Sequence, residues 1–443
     1  MAKVVVGLSG GVDSSVAAYQ LLEAGHEVLG IYMQNWTESV GLLKSDCPFE
    51  EDRDFAAMVA RRLGIPFELV DLSEEYKHAV IDYLFEEYAR GRTPNPDVLC
   101  NREIKFAAFW DVARARGAEF VATGHYCRRS TQIEQGKEVH SLLAGLDRGK
   151  DQSYFLCQVN QEQLSHALFP VGGMQKSEVR ALARKLGLAT AQRKDSYGIC
   201  FVGKIDLPTF LAQRLKSREG RIIEIPRSVT QPDGLESLAE QAKPYPLTPA
   251  MGRVVGKHTG AQYFTVGQRK GLGVGGKELP LFVLGIDVLE NVVYVGQGHD
   301  HPYLNRRVVR LEPREVHWVN PTREIAVGEE LRVDARLRYR QPLQGACLYR
   351  ESEAYFLRFD LPQRGVTPGQ FTVRFSEVPL RPLRCAVTMA ARVWIALVVG
   401  LFSSDRTIGS PVSPPALIRG SIGIWTSRLI WRLQRSDRAS AVA

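Results

Sequence analysis

The chain predicts an α/β protein: an N-terminal doubly wound parallel sheet, then a small mainly β linking domain, then a C-terminal β-barrel. Three observations carry this. An apolar strand at residues 4–8 runs straight into a glycine-serine loop and a helix. Through about the first two hundred residues apolar runs alternate with helical patterns, the layout of a parallel sheet with helices on both faces. From about residue 219 the pattern changes to short Val/Ile-rich runs between Gly, Pro and Asn turns, as all-β domains show.

Strands are expected near 4–8, 28–33, 67–71 and 119–123, and helices near 13–24, 52–63, 75–90, 103–117 and 176–187. Gly64 and Gly187 sit where helix-ending glycines belong. The β-rich half contributes Arg221–Ile225, Phe282–Ile286, Asn291–Val295 and Leu331–Leu337, with 226–250 as an inserted loop. The division expected is a catalytic domain at 1–205, a β-rich linker at 206–280, a barrel at 281–375 and an atypical tail at 376–443.

Val4 to Ser15 is the most informative stretch. Strand, glycine-serine loop and helix point backbone N–H groups, two hydroxyls and a helix N-terminus at one spot, which suits an anion such as a nucleotide's phosphates. Asp13 is placed to cap the helix or to help place a metal ion. No Gly-Lys-Ser/Thr follows the glycines and the third glycine of a dinucleotide fingerprint is missing, so both common nucleotide loops are disfavoured. Ser-Gly-Gly-Val-Asp-Ser instead resembles the PP-loop of the N-type ATP pyrophosphatases, with their adenine nucleotide alpha hydrolase-like fold. That resemblance assigns Gly7, Leu8, Ser9, Gly10, Gly11, Val12, Asp13 and Ser14 to ATP. Met33 and Gly124, at carboxyl ends of expected strands, join them, and Mg2+ is the expected companion of the phosphates.

The 443 residues suffice for two or three domains. The formal charge of +8 is concentrated: residues 376–443 hold nine Arg against Glu377, Asp405 and Asp437. Global charge is therefore weak evidence for a nucleic-acid partner, and sites must carry that case. Seven cysteines with no Cys-x-x-Cys pair read as reduced thiols in a cytoplasm rather than a disulfide framework or zinc site. Met-Ala-Lys leads directly into the first strand, which leaves no room for a secretion signal.

Cys100 lies just before the helix expected near Glu103, after a loop held extended by Pro94 and Pro96. A thiol at a helix N-terminus has its thiolate favoured, so Cys100 is expected to have a pKa lowered toward neutral and to be a nucleophile. Cys200 follows Gly198 and leads into a short apolar strand. Taken alone, each cysteine reads as ordinary packing. Their company inside an ATP-using domain changes that.

Ser-Gly-Gly-Val-Asp-Ser, Asn-Pro-Asp-x-x-Cys-Asn, Gly124-His-Tyr126, Lys150-Asp-Gln-Ser-Tyr154, Gly198-Ile-Cys-Phe201 and Gly267-Gln-Arg-Lys-Gly-Leu-Gly273 occur in the order found in the tRNA-specific 2-thiouridylases, which the chain resembles over about residues 3–375. The resemblance implies a sulfurtransferase: ATP adenylates O2 of the wobble uridine, releasing pyrophosphate, and a cysteine persulfide delivers sulfur, releasing AMP. It implies that Cys200 carries the persulfide and that Cys100 attacks Cys200 to leave a disulfide, or alternatively attacks the activated carbon first. Asp97 joins them as a proton carrier. Asn95, Pro96 and Asp97 are implied as contacts of the target base. His125, Lys150, Asp151, Gln152, Arg338, Tyr339 and Gln370 are implied as tRNA contacts, with Arg338-Tyr-Arg-Gln341 on an expected strand. Implied partners are tRNA and a persulfide-bearing donor protein, with no membrane and a monomeric chain.

Tyr197 stands where the family pattern expects Thr, and Cys47, Cys127, Cys157 and Cys347 match no motif. From about Ser376 the chain departs from the family and continues for 68 residues with half of its tryptophans. Its apolar run Ala386–Phe402 is 17 long and interrupted by Arg392, short for a membrane span. This tail is expected to be disordered or out of frame, and a frame change near 376 is expected to remove the last barrel strand and expose an edge. Two other readings stay open: another PP-loop ligase that transfers nitrogen or a thiolase relying on an iron–sulfur cluster, and a tRNA-binding protein without chemistry.

Overall fold

A computed structural model describes residues 1–36, 48–195, 200, 206–230, 235–377 and 385–392. The first sheet is parallel, in the order Phe67–Asp71, Glu27–Gln34, Lys3–Gly7, Phe120–Ala122, Ala167–Leu168. Successive side chains of a strand point to opposite faces. Val4 and Val6 accordingly pack with Val16, Val59 and Val179 of the helices on one face, while Val5 packs with Ile81, Ile104 and Phe109 on the other. Both faces are buried, which is why the strand reads Val-Val-Val rather than alternating. Strand order turns at Lys3–Gly7, between the second and fourth strands, so the loop after Gly7 sits at the switch point where such sheets bind ligands.

The helix expected from 103 starts earlier. Pro96 occupies its first turn, where the missing N–H costs nothing, after Asn95 as the N-terminal flanking residue. Helical backbone then continues to Ala115 through a π-helical segment, Cys100–Ala108. The hairpin Cys127–Glu134 and Lys137–Ala144 was not expected; Gln135 and Gly136, with φ of 51° and 76°, close it as a tight turn.

The second sheet runs Leu281–Asp287, Val292–Gln297, Gly220–Glu224, Arg253–His258. Leu281–Gln297 therefore pairs with the linking domain, and the limit expected at 280/281 falls inside one sheet's fold. The reason is Asn291, whose amide donates to the carbonyls of Arg218 and Glu219 at 2.9 and 3.0 Å and pins the hairpin there. Within 226–250, a short helix, Leu238–Gln241, forms behind the Ser237–Glu240 capping box.

The third sheet has nine strands, antiparallel in its pairings. Its path is Asn305–Leu311, Tyr355–Arg364, Gln344–Arg350, Glu330–Arg336, Phe371–Glu377, Cys385–Arg392, Lys137–Ala144, Cys127–Glu134, with Val316–Trp318 beside Cys385–Arg392. The catalytic domain's own hairpin thus extends the C-terminal sheet. Cys385–Arg392, within the atypical tail, forms a further strand: the backbone edges of Phe371–Glu377 and Lys137–Ala144 both pair with it. The rest of the tail, like Tyr197 and Cys47, lies outside the described residues. Among those described, no helix is long and apolar enough to cross a membrane.

Candidate active site

The loop after Lys3–Gly7 is closed by its own hydroxyls. Ser14 Oγ accepts from the Ser9 N–H at 3.2 Å and donates to the Gly11 carbonyl at 3.1 Å, and Ser15 Oγ donates to the same carbonyl at 2.7 Å. Gly10 must be glycine: its φ is +70°, and a Cβ there would sit 2.3 Å from the Asp52 carbonyl oxygen. Gly124 lets the fourth strand's end approach the helix; a Cβ would lie 2.6 Å from Ser14 N. Met33 is buried behind Gly7.

Gly11, not Asp13, is the flanking residue of helix Val12–Glu23, and no side chain caps that N-terminus. Its N–H groups and the glycine turn fit an anion. Asp13 instead accepts from Lys176 Nζ at 2.7 and 2.8 Å and from the Tyr126 hydroxyl at 2.7 Å. Lys176 also pairs with Asp195 at 2.9 Å, and Asp195 gathers Lys150 at 2.6 Å and Arg180 at 2.7 Å. Burial opposes the Asp195 charge, but the Lys150 and Lys176 hydrogen bonds outweigh it and hold the carboxyl well below the usual range. Arg193 ties the loop from the other side, donating to Gly10 O at 2.8 Å and Asp52 Oδ1 at 2.6 Å. Asp13 and Asp195 are thus both paired with cations at the rim of the loop.

Cys100 and Cys200 come together at the start of the π-helical segment. Both are free thiols. Cys100 is 0% exposed and donates its S–H to the Cys200 sulfur. Lys105 Nζ lies 3.3 Å from Cys200 Sγ, the Cys200 N–H donates to Asp97 Oδ1 at 3.0 Å, and the Tyr76 hydroxyl donates to the Cys200 carbonyl at 2.6 Å. This arrangement inverts the expected acidity. Burial and the donated hydrogen bond push the Cys100 thiol well above its usual value. The Cys100 hydrogen bond and Lys105 bring Cys200 down to about 7. Since the helix starts at Pro96, Cys100 lies one turn inside it, beyond the free N–H groups that were expected to ionise it. Burial raises Asp97, moderated by the Cys200 N–H and Lys105.

Sequence reasoning missed Lys105, Tyr76, Lys176, Asp195 and Arg193. A lysine five residues after Cys100 was the available signal for the first, but only knowledge of the π-helical turn makes it meaningful.

Most residues expected to touch tRNA have protein partners. Asp151, 4% exposed, pairs with Arg336 at 3.2 Å and accepts the N–H groups of Gly145 and Ser153, both at 3.1 Å. His125, 7% exposed, is packed by Phe106 and Phe169, and its Nδ1 meets Thr123 Oγ1 at 2.7 Å. Burial pushes it well below 6.5, so it is a neutral neighbour of Lys105 and not a surface cation. Gln152 accepts the Tyr126 N–H at 3.0 Å. Gln370 donates to the carbonyls of Thr93 and Pro94 at 2.9 and 3.2 Å, docking the Asn95–Asp97 corner onto the third sheet, and Asn95 hydrogen-bonds Tyr154. Arg338–Gln341 is a turn, not a strand: Glu330–Arg336 ends first and Arg340 takes φ +64°. Arg338 remains exposed while donating to Gly365 O at 2.6 Å, and Tyr339 packs on Phe155 at 4.4 Å between centroids.

A phosphate-cradling loop at the switch point of a parallel sheet, with an asymmetric cysteine pair in the same domain, defines a PP-loop enzyme with thiol chemistry. Three family models match in succession: tRNA methyl transferase HUP domain over residues 2–204, tRNA methyl transferase PRC-barrel domain over 208–297 and aminomethyltransferase beta-barrel domain over 309–377. The tRNA-specific 2-thiouridylase MnmA of Christiangramia forsetii is 53% identical over 385 residues, covering 85% of this chain and 98% of the relative. Those of Flavobacterium johnsoniae and Stutzerimonas stutzeri are 51% and 44% identical, covering 85% and 84% of this chain and 98% and 90% of the relatives. The chain belongs to the tRNA-specific 2-thiouridylase family, enzymes of tRNA thiolation.

Proposed function

We propose that this chain is a tRNA-uridine 2-sulfurtransferase that uses ATP at the Gly7–Ser14 loop and sulfur at Cys200. The C2 carbonyl of uracil is a poor electrophile, and adenylation turns its oxygen into a leaving group. The uridine O2 attacks the α-phosphorus of ATP; pyrophosphate departs toward the N–H groups of helix Val12–Glu23, with Lys176 at its edge. Asn95, Pro96 and Asp97 present the base beside Cys200, to whose N–H Asp97 is bonded. Cys200 holds the transferable sulfur as a persulfide. Cys100 attacks Cys200 Sγ, passing its proton to the departing sulfur; the S–S bond of the persulfide breaks as the Cys100–Cys200 bond forms. The liberated hydrosulfide attacks C2 and displaces AMP, and a two-electron reductant restores both thiols.

The observation that carries this reading is the cluster at Cys200: Lys105 Nζ lies 3.3 Å from its Sγ and Asp97 holds its N–H at 3.0 Å, with the buried Cys100 thiol beside it, so that one sulfur is placed to accept sulfur and the other to release it. Lys150, Gln152, Arg338 and Tyr339 are the tRNA contacts this reading retains, with His125, Asp151 and Gln370 shaping the site from behind. It carries with it a persulfide-bearing donor protein and a cytoplasmic, monomeric enzyme; the free thiols Cys100, Cys127, Cys157, Cys200 and Cys347 suit a reducing compartment. No step is routed through Mg2+. A cluster-dependent route is disfavoured because the Lys105 ammonium stands beside the sulfur that iron would need. A single-turnover assay with ATP, a persulfide donor and unmodified tRNA tests the reading. Cys100→Ser and Cys200→Ser should each abolish 2-thiouridine; full activity in both sinks it.

A further inference from the structure

We propose that Lys105 is a working member of the thiol centre: it selects Cys200 over Cys100 as the sulfur acceptor by holding Cys200 as a thiolate. This rests on the reading of Cys200 as the acceptor and adds the residue that makes it one.

The placement begins with helix geometry. In an α-helix, residues five apart project about 140° from each other, so Cys100 and Lys105 would face different neighbours. The i→i+5 turn of a π-helix brings such residues closer to one face, and Cys100–Ala108 is such a segment. The Cys100 thiol and the Lys105 ammonium accordingly both reach the sulfur of Cys200, at 3.3 Å in the case of Nζ. π-Segments recur at functional sites.

The surrounding charges leave the role to this lysine. From the helical turn Pro96–Leu99 comes Asp97, bonded to the Cys200 backbone. From Ser73–Tyr76 comes the Tyr76 hydroxyl, which addresses the Cys200 carbonyl and not its sulfur. From the fourth strand's end comes His125, kept neutral by burial and by Lys105 itself. Lys105 is then the cation at the sulfur among the described residues. Burial alone would drive a lysine toward its neutral form, but the facing Cys200 and Cys100 outweigh it and keep the ammonium charged. The contact is to one sulfur: Nζ donates to Cys200 Sγ at 3.3 Å.

The loading step balances with these parts. The Cys200 thiolate attacks the terminal sulfur of a donor persulfide R–S–SH. A Cys200–S–SH bond forms, the donor S–S bond breaks, and R–S⁻ leaves with its electron pair. A thiolate is the nucleophile in such exchange, so losing the ammonium removes the acceptor in proportion to the lost ionisation.

The test alkylates the folded full-length chain with iodoacetamide across a pH series and quantifies label on the Cys100 and Cys200 peptides by mass spectrometry. In the wild type, label should enter Cys200 first, with a midpoint near 7, and Cys100 should stay unlabelled. Lys105→Met should move the Cys200 midpoint up by at least about one unit, a tenfold slower alkylation at pH 6, and Lys105→Arg should restore most of it. An unmoved midpoint in folded Lys105→Met overturns the proposal. So does preferential labelling of Cys100 in the wild type, which keeps the test decisive if the Met variant does not fold. Alkylation reads the thiols without ATP or tRNA, so failure of the thiolation assay and failure of this proposal are separate results.

Discussion

The backbone N–H of Cys200 donates to Oδ1 of Asp97 at 3.0 Å, holding the Asn95–Asp97 corner and the sulfur-bearing residue together across 103 positions of sequence. Asp97→Ala leaves that N–H without its acceptor, at a cost of about 1–3 kcal/mol. Single-turnover thiolation should fall by about 5- to 150-fold, the factor that such a loss implies. Asp97→Asn keeps a carbonyl acceptor and should retain more activity than Ala; equal loss in both would assign Asp97 to proton transfer alone.

Sulfur loading should follow the ionisation of Cys200. Its folded value, about 7, lies below the ordinary 9.0. The thiolate is therefore full above about 7 and falls tenfold per unit below it, so the loading rate should rise with unit slope and then level. Cys100, pushed up, should add no second rise near neutral pH. By linkage, the stability that Cys200 contributes is present above its unfolded value and is lost as pH falls through about 7. Stopped-flow transfer from a small persulfide, read against pH, checks the profile.

Gly10→Ala should be costly twice. The residue must hold φ +70° and yield space to the Asp52 carbonyl, 2.3 Å from an added Cβ. About 1–3 kcal/mol of strain is expected, with a Tm lower by several degrees and loss of ATP-dependent pyrophosphate release. Calorimetry and a pyrophosphate assay on the same sample separate the two effects.

Arg336→Met removes the partner of Asp151, a carboxylate whose side chain is 3% exposed. Breaking a buried pair from one side costs about 3–5 kcal/mol. Asp151→Asn combined with Arg336→Met, which removes the buried charge but keeps an acceptor for the Gly145 and Ser153 N–H groups, should be less destabilised than the single variant, with tRNA affinity of the folded protein close to wild type. A large affinity loss in the double variant would return Asp151 to the RNA surface.

Ending the chain at Leu397 should leave Tm nearly unchanged, since it keeps Cys385–Arg392, the last described strand of the third sheet. Ending it at Glu377 removes Cys385–Arg392 and uncovers the edges of Phe371–Glu377 and Lys137–Ala144. Open edges template aggregation, so light scattering should rise in that variant only.

The legible part of this protein is local. Val4–Ser15 announces strand, loop and helix because apolar run, glycine turn and helix start are consecutive, and the loop takes its position at the switch point from that order. The alternation of the first half and the Val/Ile runs of the second were enough for fold class. Less legible were features made by distant partners. The hairpin Leu281–Gln297 joins the linking domain because Asn291 bonds to Arg218 and Glu219. Arg338–Gln341 alternates like a strand but turns, since its carbonyl partners lie at Val266 and Gly365.

By itself the sequence determined an ATP loop, two cysteines and the family's ordered motifs, because each is written in a few adjacent residues. Tertiary structure decided which cysteine ionises, because acidity depends on burial and on charges within a few ångströms, whatever their distance in sequence. Cys100 looked activated by its helix, yet burial keeps it protonated, while Cys200 gains Lys105 across 95 residues. The same physics turned Asp151 and His125 inward: a motif names a residue, and only packing says whether water, RNA or protein meets it.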